Sequence, residues 1–248
     1  MHRLDLNRLP RHVSIIMDGN GRWANLRLAN RVFGHNEGAN SVREVVRCCL
    51  ELGIPYLTLY AFSKENWQRP ESEVTALWHL LRRFLKSEFA DLVSRRIRVR
   101  HLGDPDDIPQ EVLNELRHVV EATADFDRLV LSLAINYGGR QEILRAARKF
   151  AGDVLAGRAE SDALSQEEFS RYLFTTDLPD PDLIIRTGGE YRVSNFLLWQ
   201  LAYAELYITA TLWPDFREPQ FHEALAEFQR RERRFGKTSD QLRTVSLT

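Results

Sequence analysis

The sequence predicts an α/β fold in which helices cover both faces of a mostly parallel, six-stranded sheet. Short apolar runs rich in β-branched residues alternate with longer segments in which apolar residues recur at helical spacing. This alternation is typical of parallel sheets, because the connection between parallel neighbours usually contains a helix. A chain of 248 residues suits one domain with a sizeable core. We therefore expect a single domain over residues 1–248, with flexible ends at 1–11 and 237–248.

Six segments carry strand patterns. Most are continuous apolar runs, such as VSIIM at 13–17 and YLTLYAF at 56–62, and such runs indicate burial on both faces of a sheet. The third segment alternates charged and apolar residues and stops at Gly103, where turn residues follow. In chain order, the predicted strands cover residues 13–17, 56–62, 97–102, 129–136, 182–186 and 206–212.

The segments between the strands carry helical patterns. The one at 36–52 repeats valine and leucine on one face and ends at Gly53, a residue that often follows a helix. The polar segment 63–72 shows no periodicity and predicts a mobile loop. In chain order, the predicted helices begin at Arg22 and then cover 36–52, 73–95, 109–124, 140–156, 165–173 and 218–234.

Composition argues against several classes of protein. The 34 basic and 35 acidic residues leave a net charge of −1, which gives no global attraction to nucleic acid or anionic lipid. Cys48 and Cys49 are adjacent in a predicted helix, where neighbouring side chains diverge, so we expect neither a disulfide nor a zinc site. The chain shows no signal-peptide pattern and no spanning segment. We therefore expect a cytoplasmic protein.

Chemistry-bearing residues follow the carboxyl ends of four predicted strands, which is where open α/β sheets bind ligands. Glycine allows close backbone approach and arginine offers a bidentate cation, so the set predicts a phosphate site. The residues concerned are Asp18, Gly19, Asn20, Gly21, Arg22, Ser63, Asn66, Trp67, Arg69, Asn136, Gly138, Gly139, Arg140, Arg186, Thr187, Gly188, Gly189, Arg192 and Ser194.

Asp18 is the exception in this set, because a carboxylate repels a phosphate. The repulsion disappears if Asp18 holds Mg²⁺, which binds through one or two carboxylates together with substrate phosphate oxygens. The alternative is that Asp18 caps the helix that follows it. Both interpretations are compatible with the local sequence.

Two local motifs point to other sites and fail in their context. Residues 19–24 match the glycine pattern of dinucleotide-binding proteins. That pattern also requires an acidic residue at the end of the next strand, and the candidate at the right distance, Glu37, falls in a predicted helix instead. The pair Asp106 and Asp107 suggests the aspartate-rich motif of trans-prenyltransferases, but no third aspartate follows at the needed spacing. We interpret the pair as a polar turn.

Taken together, the motifs resemble those of the cis-prenyltransferase family, whose bacterial members make undecaprenyl diphosphate. They occur in the family's order over nearly the whole chain, which is far more specific than any one of them. One stretch departs from the family pattern, because Asn25 and Leu26 stand where basic residues are usual. The matching motifs are IMDGNGRWA at 16–24, GH at 34–35, LYAFS at 59–63, ENW at 65–67, RP at 69–70, NYGGR at 136–140, IRTGGE at 185–190, RVSNFLLWQ at 192–200, AELY at 204–207, WP at 213–214 and RRFG at 233–236.

The resemblance implies a Mg²⁺-dependent condensation of isopentenyl diphosphate units onto an allylic diphosphate, farnesyl or geranyl. The expected product is a long-chain polyprenyl diphosphate, undecaprenyl diphosphate, which serves as a lipid carrier for cell-wall synthesis. Asp18 corresponds to the family's metal-linked aspartate, and Glu205 to a second acidic residue associated with the metal. The base that takes the released proton is either Asp18 or Asn66, the latter acting through a water or the substrate phosphate.

The resemblance also implies roles for the remaining site residues. Those expected to hold the allylic diphosphate are Gly19, Asn20, Gly21 and Arg22, with Trp23, Arg31 and His35 beside them. Those on the family's flexible loop are Ser63, Lys64, Glu65, Asn66, Trp67 and Arg69, with Glu73 supporting closure. Those expected to bind isopentenyl diphosphate are Arg186, Arg192, Val193 and Ser194.

A growing hydrocarbon requires a dry, hydrophobic tunnel. A member of the family is also expected to be a homodimer that contacts a membrane only transiently, for product release. The interface is expected at 199–207, with Arg234-x-Gly236 reaching the partner's site. Two alternatives remain: a non-catalytic prenyltransferase partner subunit, and a nucleotide-binding α/β enzyme. The candidate tunnel residues, for each of which the alternative is core packing, are Ala61, Leu77, Leu81, Leu85, Ile97, Leu129, Leu131 and Leu133.

Overall fold

The computed structural model describes residues 4–233 and confirms the α/β architecture. All six strands belong to one sheet, each pairs in parallel with its neighbours, and their order is β3-β4-β2-β1-β5-β6. The strands are β1 His12–Ile16, β2 Tyr56–Ser63, β3 Ile97–Leu102, β4 Leu129–Tyr137, β5 Leu183–Arg186 and β6 Glu205–Ile208.

Side chains that alternate along the central strands are buried on opposite faces of the sheet. Ile15 and Ile185 pack in the larger core, with residues of the long helices, whereas Ile16 and Ile184 pack in a second core beside Phe196. Burial on both faces explains why these strands are continuous apolar runs. The helices are α1 Asn20–Leu26, α2 Arg31–Leu52, α3 Glu71–Ser94, α4 Gln110–Ala122, α5 Gly139–Leu155, α6 Gln166–Ser170 and α7 Glu218–Arg230.

Several element boundaries differ from the predictions, most clearly at three places. Helix α2 begins at Arg31, five residues before the predicted start, because the Asn30 side chain accepts a hydrogen bond from the Phe33 N–H and caps the helix. Strand β6 ends at Ile208 rather than 212. The segment 63–72 is not simply a loop, since Lys64–Gln68 form a 3₁₀ helix and α3 already begins at Glu71.

Both cysteines are free and buried, as predicted.

Near the N-terminus, the Asp5 N–H donates to Oε1 of Gln229 at 3.1 Å, and Arg8 donates to the Gln229 carbonyl at 2.8 Å. The residues expected to be flexible at this end therefore include a turn that is hydrogen-bonded to α7. The predicted flexible end 237–248 and the Arg234-x-Gly236 motif lie outside the described residues. Between residues 4 and 233, no helix has the length and apolar character needed to cross a membrane.

Gly34 allows α1 to pack closely on α2. A Cβ atom at this position would lie 2.1 Å from the carbonyl oxygen of Asn20 and 3.2 Å from the Cβ of Ala24. Asn20 begins α1, directly after the strand end that carries Asp18. The contact at Gly34 therefore determines how α1 sits beside the candidate site.

We predict that Gly34→Ala lowers the free energy of unfolding by about 1–3 kcal/mol, because the added methyl group must push α1 away from α2. Urea unfolding monitored by circular dichroism measures the effect. Gly152→Ala is the matched control, since a Cβ atom there meets nothing within 4 Å, and it should stabilise α5 by up to about 1 kcal/mol. Equal stability of the two variants would contradict the close approach at Gly34.

Candidate functional site

The predicted site residues converge at the carboxyl end of the sheet. Ile16 of β1 pairs in register with Arg186 of β5, and Asp18 follows two residues after that pair. A pocket of about 540 Å³ opens there and is lined by residues from the ends of β1, β2 and β5. Its polar lining residues are Asp18, Tyr60, Ser63, Glu65, Asn66, Arg69, Arg186, Arg192, Ser194 and Asn195.

The carboxylate of Asp18 lies between two guanidinium groups. Its Oδ2 accepts a hydrogen bond from Arg186 at 2.8 Å, and its Oδ1 accepts one from Arg22 at 3.1 Å. Gly19, rather than Asp18, occupies the N-cap position of α1, and it makes no side-chain cap. The interpretation of Asp18 as a helix cap is therefore wrong, and its side chain is oriented by charge.

Arg186 is the most buried charged group at this site, with a side chain only 6% exposed. One of its terminal nitrogens donates to Oγ of Ser194 at 2.7 Å and also to the Arg192 carbonyl. The neighbouring Thr187 hydroxyl accepts from the Asp18 N–H at 2.9 Å and lies 2.7 Å from the Asp18 carbonyl oxygen, to which it donates. These bonds hold the segments after β1 and β5 together as one rigid unit.

A second charged cluster lies where α2 meets the segment before α3. Glu73, with a side chain 12% exposed, accepts from Arg31 at 3.2 Å and from Arg69 at 3.1 Å. His35 is close to all three groups. Burial, and after it the positive charge of Arg69, lowers the pKa of the His35 ring to about 4. His35 is therefore a neutral hydrogen-bonding group near neutral pH.

The segment 63–69 is held in place by contacts to several parts of the fold, and we call it the lid segment. The ammonium group of Lys64 lies 2.8 Å from a carboxylate oxygen of Asp107. The indole N–H of Trp67 donates to Oδ1 of Asn136 at 2.8 Å, and Oδ1 of Asn66 accepts from the Ser63 N–H at 3.1 Å. The predicted polar turn at 106–107 thus has a second role, as a docking point for the lid segment.

An apolar cavity of about 180 Å³ adjoins the polar pocket. Met17, Tyr60, Asn66 and Arg69 line both spaces, so the two meet at these residues. Of the predicted tunnel residues, Ala61, Leu77, Leu81 and Leu133 line the cavity. Leu85, Ile97, Leu129 and Leu131 do not line it and belong to the buried core.

The structure does not bring every predicted residue to the polar pocket. Trp23 is buried on the far side of α1, where its indole N–H donates to Asp215 at 2.7 Å and its ring stacks with Arg27. Glu205 begins β6 opposite Leu183, three residues before the strand end. Other predicted residues outside the pocket lining are Gly19, Asn20, Gly21, Arg22, Arg31, His35, Lys64, Trp67, Glu73, Asn136, Gly138, Gly139, Arg140, Thr187, Gly188, Gly189 and Val193.

Glu205 makes an ion pair of 2.9 Å with Arg231, and nothing within residues 4–233 brings it to Asp18. No cluster of three or more histidine, cysteine, aspartate or glutamate side chains suited to a metal ion occurs in the same part of the chain. Asp18 and Glu65 are the carboxylates in the pocket lining, beside the side chains of Arg69, Arg186 and Arg192. The metal role of Glu205 stays a prediction.

Two polar lining residues, Tyr60 and Asn195, were not among the predicted site residues. Tyr60 stacks on Phe196 with ring centroids 4.5 Å apart, and burial raises the pKa of its phenol, with a further contribution from the charge of Glu65. Asn195 lies next to Ser194 and has a left-handed backbone, with φ of 62°. Its place inside the matching motif at 192–200 was a signal, but its contacts only become visible in the fold.

Comparison with known proteins gives a consistent family assignment. Residues 16–236 match the family model described as "Putative undecaprenyl diphosphate synthase". The chain is 48% identical over 246 residues to an isoprenyl transferase of Geobacter sulfurreducens, covering 99% of this chain and 100% of the relative. It is 50% identical over 234 residues to the ditrans,polycis-undecaprenyl-diphosphate synthase ((2E,6E)-farnesyl-diphosphate specific) of Pseudomonas aeruginosa, covering 94% of this chain and 93% of the relative.

Two solved structures share the fold over almost the whole chain. Lavandulyl diphosphate synthase from Lavandula x intermedia, in complex with dimethylallyl diphosphate, superposes with a TM-score of 0.91 at 36% identity and covers 93% of this chain and 100% of its own. A "probable undecaprenyl diphosphate synthase" from Campylobacter jejuni gives a TM-score of 0.76 at 35% identity and covers 96% of this chain and 100% of its own.

We predict that the ring of His35 stays neutral at pH 7 and titrates near pH 4. Burial disfavours the charged ring, and the adjacent Arg69 and Arg31 add to this effect. Nuclear magnetic resonance of the histidine rings across a pH series measures the pKa, and the His35→Gln variant identifies the resonance. A His35 resonance that titrates near 6.5, the usual pKa of a histidine ring, would contradict the geometry of this cluster.

Proposed function

The chain belongs to the cis-prenyltransferase family that includes undecaprenyl diphosphate synthases, and we propose that it extends farnesyl diphosphate with isopentenyl diphosphate units to undecaprenyl diphosphate. The observation that carries this proposal is the junction of a cationic pocket with an apolar cavity. Met17, Tyr60, Asn66 and Arg69 line both spaces. A polyprenyl diphosphate has the same division into a charged head and an apolar chain.

The two diphosphates are assigned to the two sides of Asp18. Arg186, Arg192 and Ser194 bind isopentenyl diphosphate, and Arg186 is already oriented by its bond of 2.7 Å to Ser194. Arg22 and the backbone of Gly19, Asn20 and Gly21 hold the allylic diphosphate, with Arg31 and His35 nearby. Arginine suits both tasks because its planar fork matches phosphate oxygens.

Asp18 fits a Mg²⁺ ion that is shared with substrate. The observation that supports this fit is a carboxylate in the lining of a cationic pocket, where residues 4–233 bring together no cluster of three or more histidine, cysteine, aspartate or glutamate side chains that could hold the ion alone. Mg²⁺ usually binds through one or two carboxylates and substrate phosphates. When bound there, the ion would stabilise negative charge on the departing diphosphate. Glu205 would contribute to metal binding only if a partner subunit or a movement brought it close.

The reaction joins carbon to carbon as the allylic carbon–oxygen bond breaks and diphosphate leaves. The protein's task is to hold the two substrates in line, which can supply roughly 7–11 kcal/mol of the barrier reduction. A proton is then lost from the isopentenyl unit, whose C–H electron pair forms the new double bond, and Asp18 or Asn66 directs its removal. Asn66 acts through a water or a substrate phosphate, since an amide is not itself a base and its Oδ1 already accepts from the Ser63 N–H.

The long-chain product is the finer part of the proposal. The Pseudomonas relative is named for undecaprenyl diphosphate and for farnesyl diphosphate as its starter, whereas the Lavandula structure is named for lavandulyl diphosphate. The fold alone is therefore compatible with different products. The cavity beside Ala61 supports growth of a hydrocarbon chain at this place, because its lining is largely apolar and it opens from the polar pocket.

We further propose that the enzyme works as a cytoplasmic homodimer through residues 199–207 and contacts the membrane transiently to release its product. Tyr203 and Leu206 within this range are 69% and 41% exposed, which supports an interface there.

The alternative of a non-catalytic prenyltransferase partner subunit is less favourable, because Asp18, Asn66 and Arg186 are all present and assembled. Thermal-shift assays with NAD and NADP test the nucleotide-binding alternative.

The first experiment incubates the purified protein with farnesyl diphosphate, labelled isopentenyl diphosphate and Mg²⁺, and separates the lipid products by length. We expect a ladder that ends at undecaprenyl length.

We predict that Asp18→Ala lowers the rate about 10³-fold or more, because it removes a main electrostatic element of the site.

Asp18→Asn separates charge from shape, since it keeps the size of the side chain and one oxygen that can accept from an arginine, but loses the charge and the second acceptor. It should lose activity to a similar extent. Asp127→Ala is the matched control, because Asp127 is a surface carboxylate paired with Arg96 away from the pocket. Wild-type turnover by Asp18→Ala would overturn the assignment of Asp18.

We predict that Ala61→Leu shortens the longest product while the first condensation stays near the wild-type rate, because the larger side chain fills part of the cavity. Chain-length analysis of the labelled products measures the shift. Ala147→Leu, on the exposed side of α5, is the control with the same chemical change. An unchanged product ladder in Ala61→Leu would count against this cavity as the site of chain growth.

A further inference from the structure

Glu65 is the residue of the lid segment that reaches the β5 side of the pocket. Its Oε1 accepts a hydrogen bond of 2.7 Å from the side-chain amide of Asn195. The other lid side chains bind elsewhere: Lys64 binds Asp107, Trp67 binds Asn136, and Arg69 binds Glu73. Within residues 4–233, the Glu65 contact is therefore the one hydrogen bond through which a lid side chain engages the segment that carries Arg192 and Ser194.

We propose that Asn195 is a positioning residue that receives Glu65 and so couples the seating of the lid segment to the shape of the isopentenyl diphosphate site. The inference rests on the proposed function. Asn195 does not touch the reacting atoms. It acts through Glu65 on one side and through Ser194 on the other.

Every polar group of the Asn195 side chain is used. Oδ1 accepts the backbone N–H of Arg140 at 2.8 Å, and the amide nitrogen donates to Glu65 and to Oε1 of Gln141 at 3.1 Å. The Asn195 carbonyl accepts the N–H of Gly139 at 2.7 Å. Asn195 is thus fixed to the start of α5, a long helix, and presents one amide hydrogen to the lid segment.

The backbone around Asn195 is held in an unusual conformation. Ser194 and Asn195 have φ values of 47° and 62°, in the left-handed region that is costly for most residues and better tolerated by asparagine. This conformation points the Ser194 hydroxyl at Arg186, at 2.7 Å, while Asn195 faces the lid segment. The same two residues therefore serve the pocket and the lid together.

The chemistry of the contact suits a lid that must open again. Glu65 lies in the lining of a pocket meant for anions, where a free carboxylate would repel the substrate. The neutral amide of Asn195 holds this carboxylate without taking an arginine away from the substrate. It also forms one hydrogen bond rather than a bidentate ion pair, so release costs less than breaking an arginine–carboxylate pair would.

The test uses Asn195→Asp, which keeps the size of the side chain and an oxygen for the Arg140 N–H. It replaces the amide donor with an acceptor and sets two carboxylates against each other. We expect backbone amide hydrogen exchange in residues 63–68 of the free protein to rise about 10- to 100-fold, the loss expected for a hydrogen bond to a charged group. The KM for isopentenyl diphosphate should rise by a similar factor, with a smaller change in the KM for farnesyl diphosphate.

Adding Glu65→Gln to Asn195→Asp should restore the contact with donor and acceptor exchanged, because the new glutamine amide can donate to the new aspartate. We expect lid exchange and the KM for isopentenyl diphosphate to return to within about threefold of wild type, well under the tenfold loss of one such bond. A purely structural role of Asn195 predicts no rescue from position 65. Gln141→Ala is the control, since it removes the other acceptor of the same amide and should leave lid exchange unchanged.

Three results would overturn the inference: unchanged lid exchange in Asn195→Asp, no rescue by Glu65→Gln, or equal loosening by Gln141→Ala. If Asn195→Asp does not fold, Glu65→Ala tests the same contact from the lid side and should raise lid exchange to a similar extent. Hydrogen exchange is measured without substrate. A wild-type protein that shows lid protection but no isoprenoid incorporation would therefore count against the proposed function and leave the contact itself supported.

Discussion

The ion pair between Arg186 and Asp18 is the interaction on which the rest of the site depends. Arg186 is almost completely buried at the end of β5, and an unpaired charge there would be strongly destabilising. Asp18 supplies the compensating charge at 2.8 Å, and Ser194 accepts a further bond from the same guanidinium. The positions of the residues after β1 and of the segment around Ser194 follow from this one buried cation.

The order of the strands explains why that pair forms at this place in the sheet. Strands β2, β4 and β3 lie in that spatial order on one side of β1, and the chain completes them before it crosses to the other side. There it adds β5 next to β1, and then β6 at the edge. The connections therefore diverge between β1 and β5, which leaves a crevice at their carboxyl ends. Asp18 and Arg186 lie on the two sides of this crevice. A parallel sheet with this order needs no additional domain to create a binding pocket.

Much of this arrangement could be predicted from the sequence, because strand-end residues of a parallel sheet meet at one edge. All six strands and the convergence of Asp18, Asn66 and Arg186 were predicted in this way. The tunnel residues were harder, since Leu81 and Leu85 share one face of a helix by periodicity, yet only Leu81 lines the cavity. Asn195 was missed because its contacts are with the first turn of α5 and with a lid residue 130 positions away in the chain. Periodicity carries no information on such contacts.

The charged residues around the pocket form a site that is neutralised before substrate arrives. Arg22 pairs with Asp18, Arg31 and Arg69 pair with Glu73, and Arg192 pairs with Glu190. Without these carboxylates, the clustered arginines would repel one another and lose their orientation. Most of the pairs are partly exposed, and exposed pairs contribute only about 0–1 kcal/mol. Under the proposed function, diphosphate oxygens replace the carboxylates at low cost, whereas the buried Arg186 keeps Asp18 and the frame of the pocket in place.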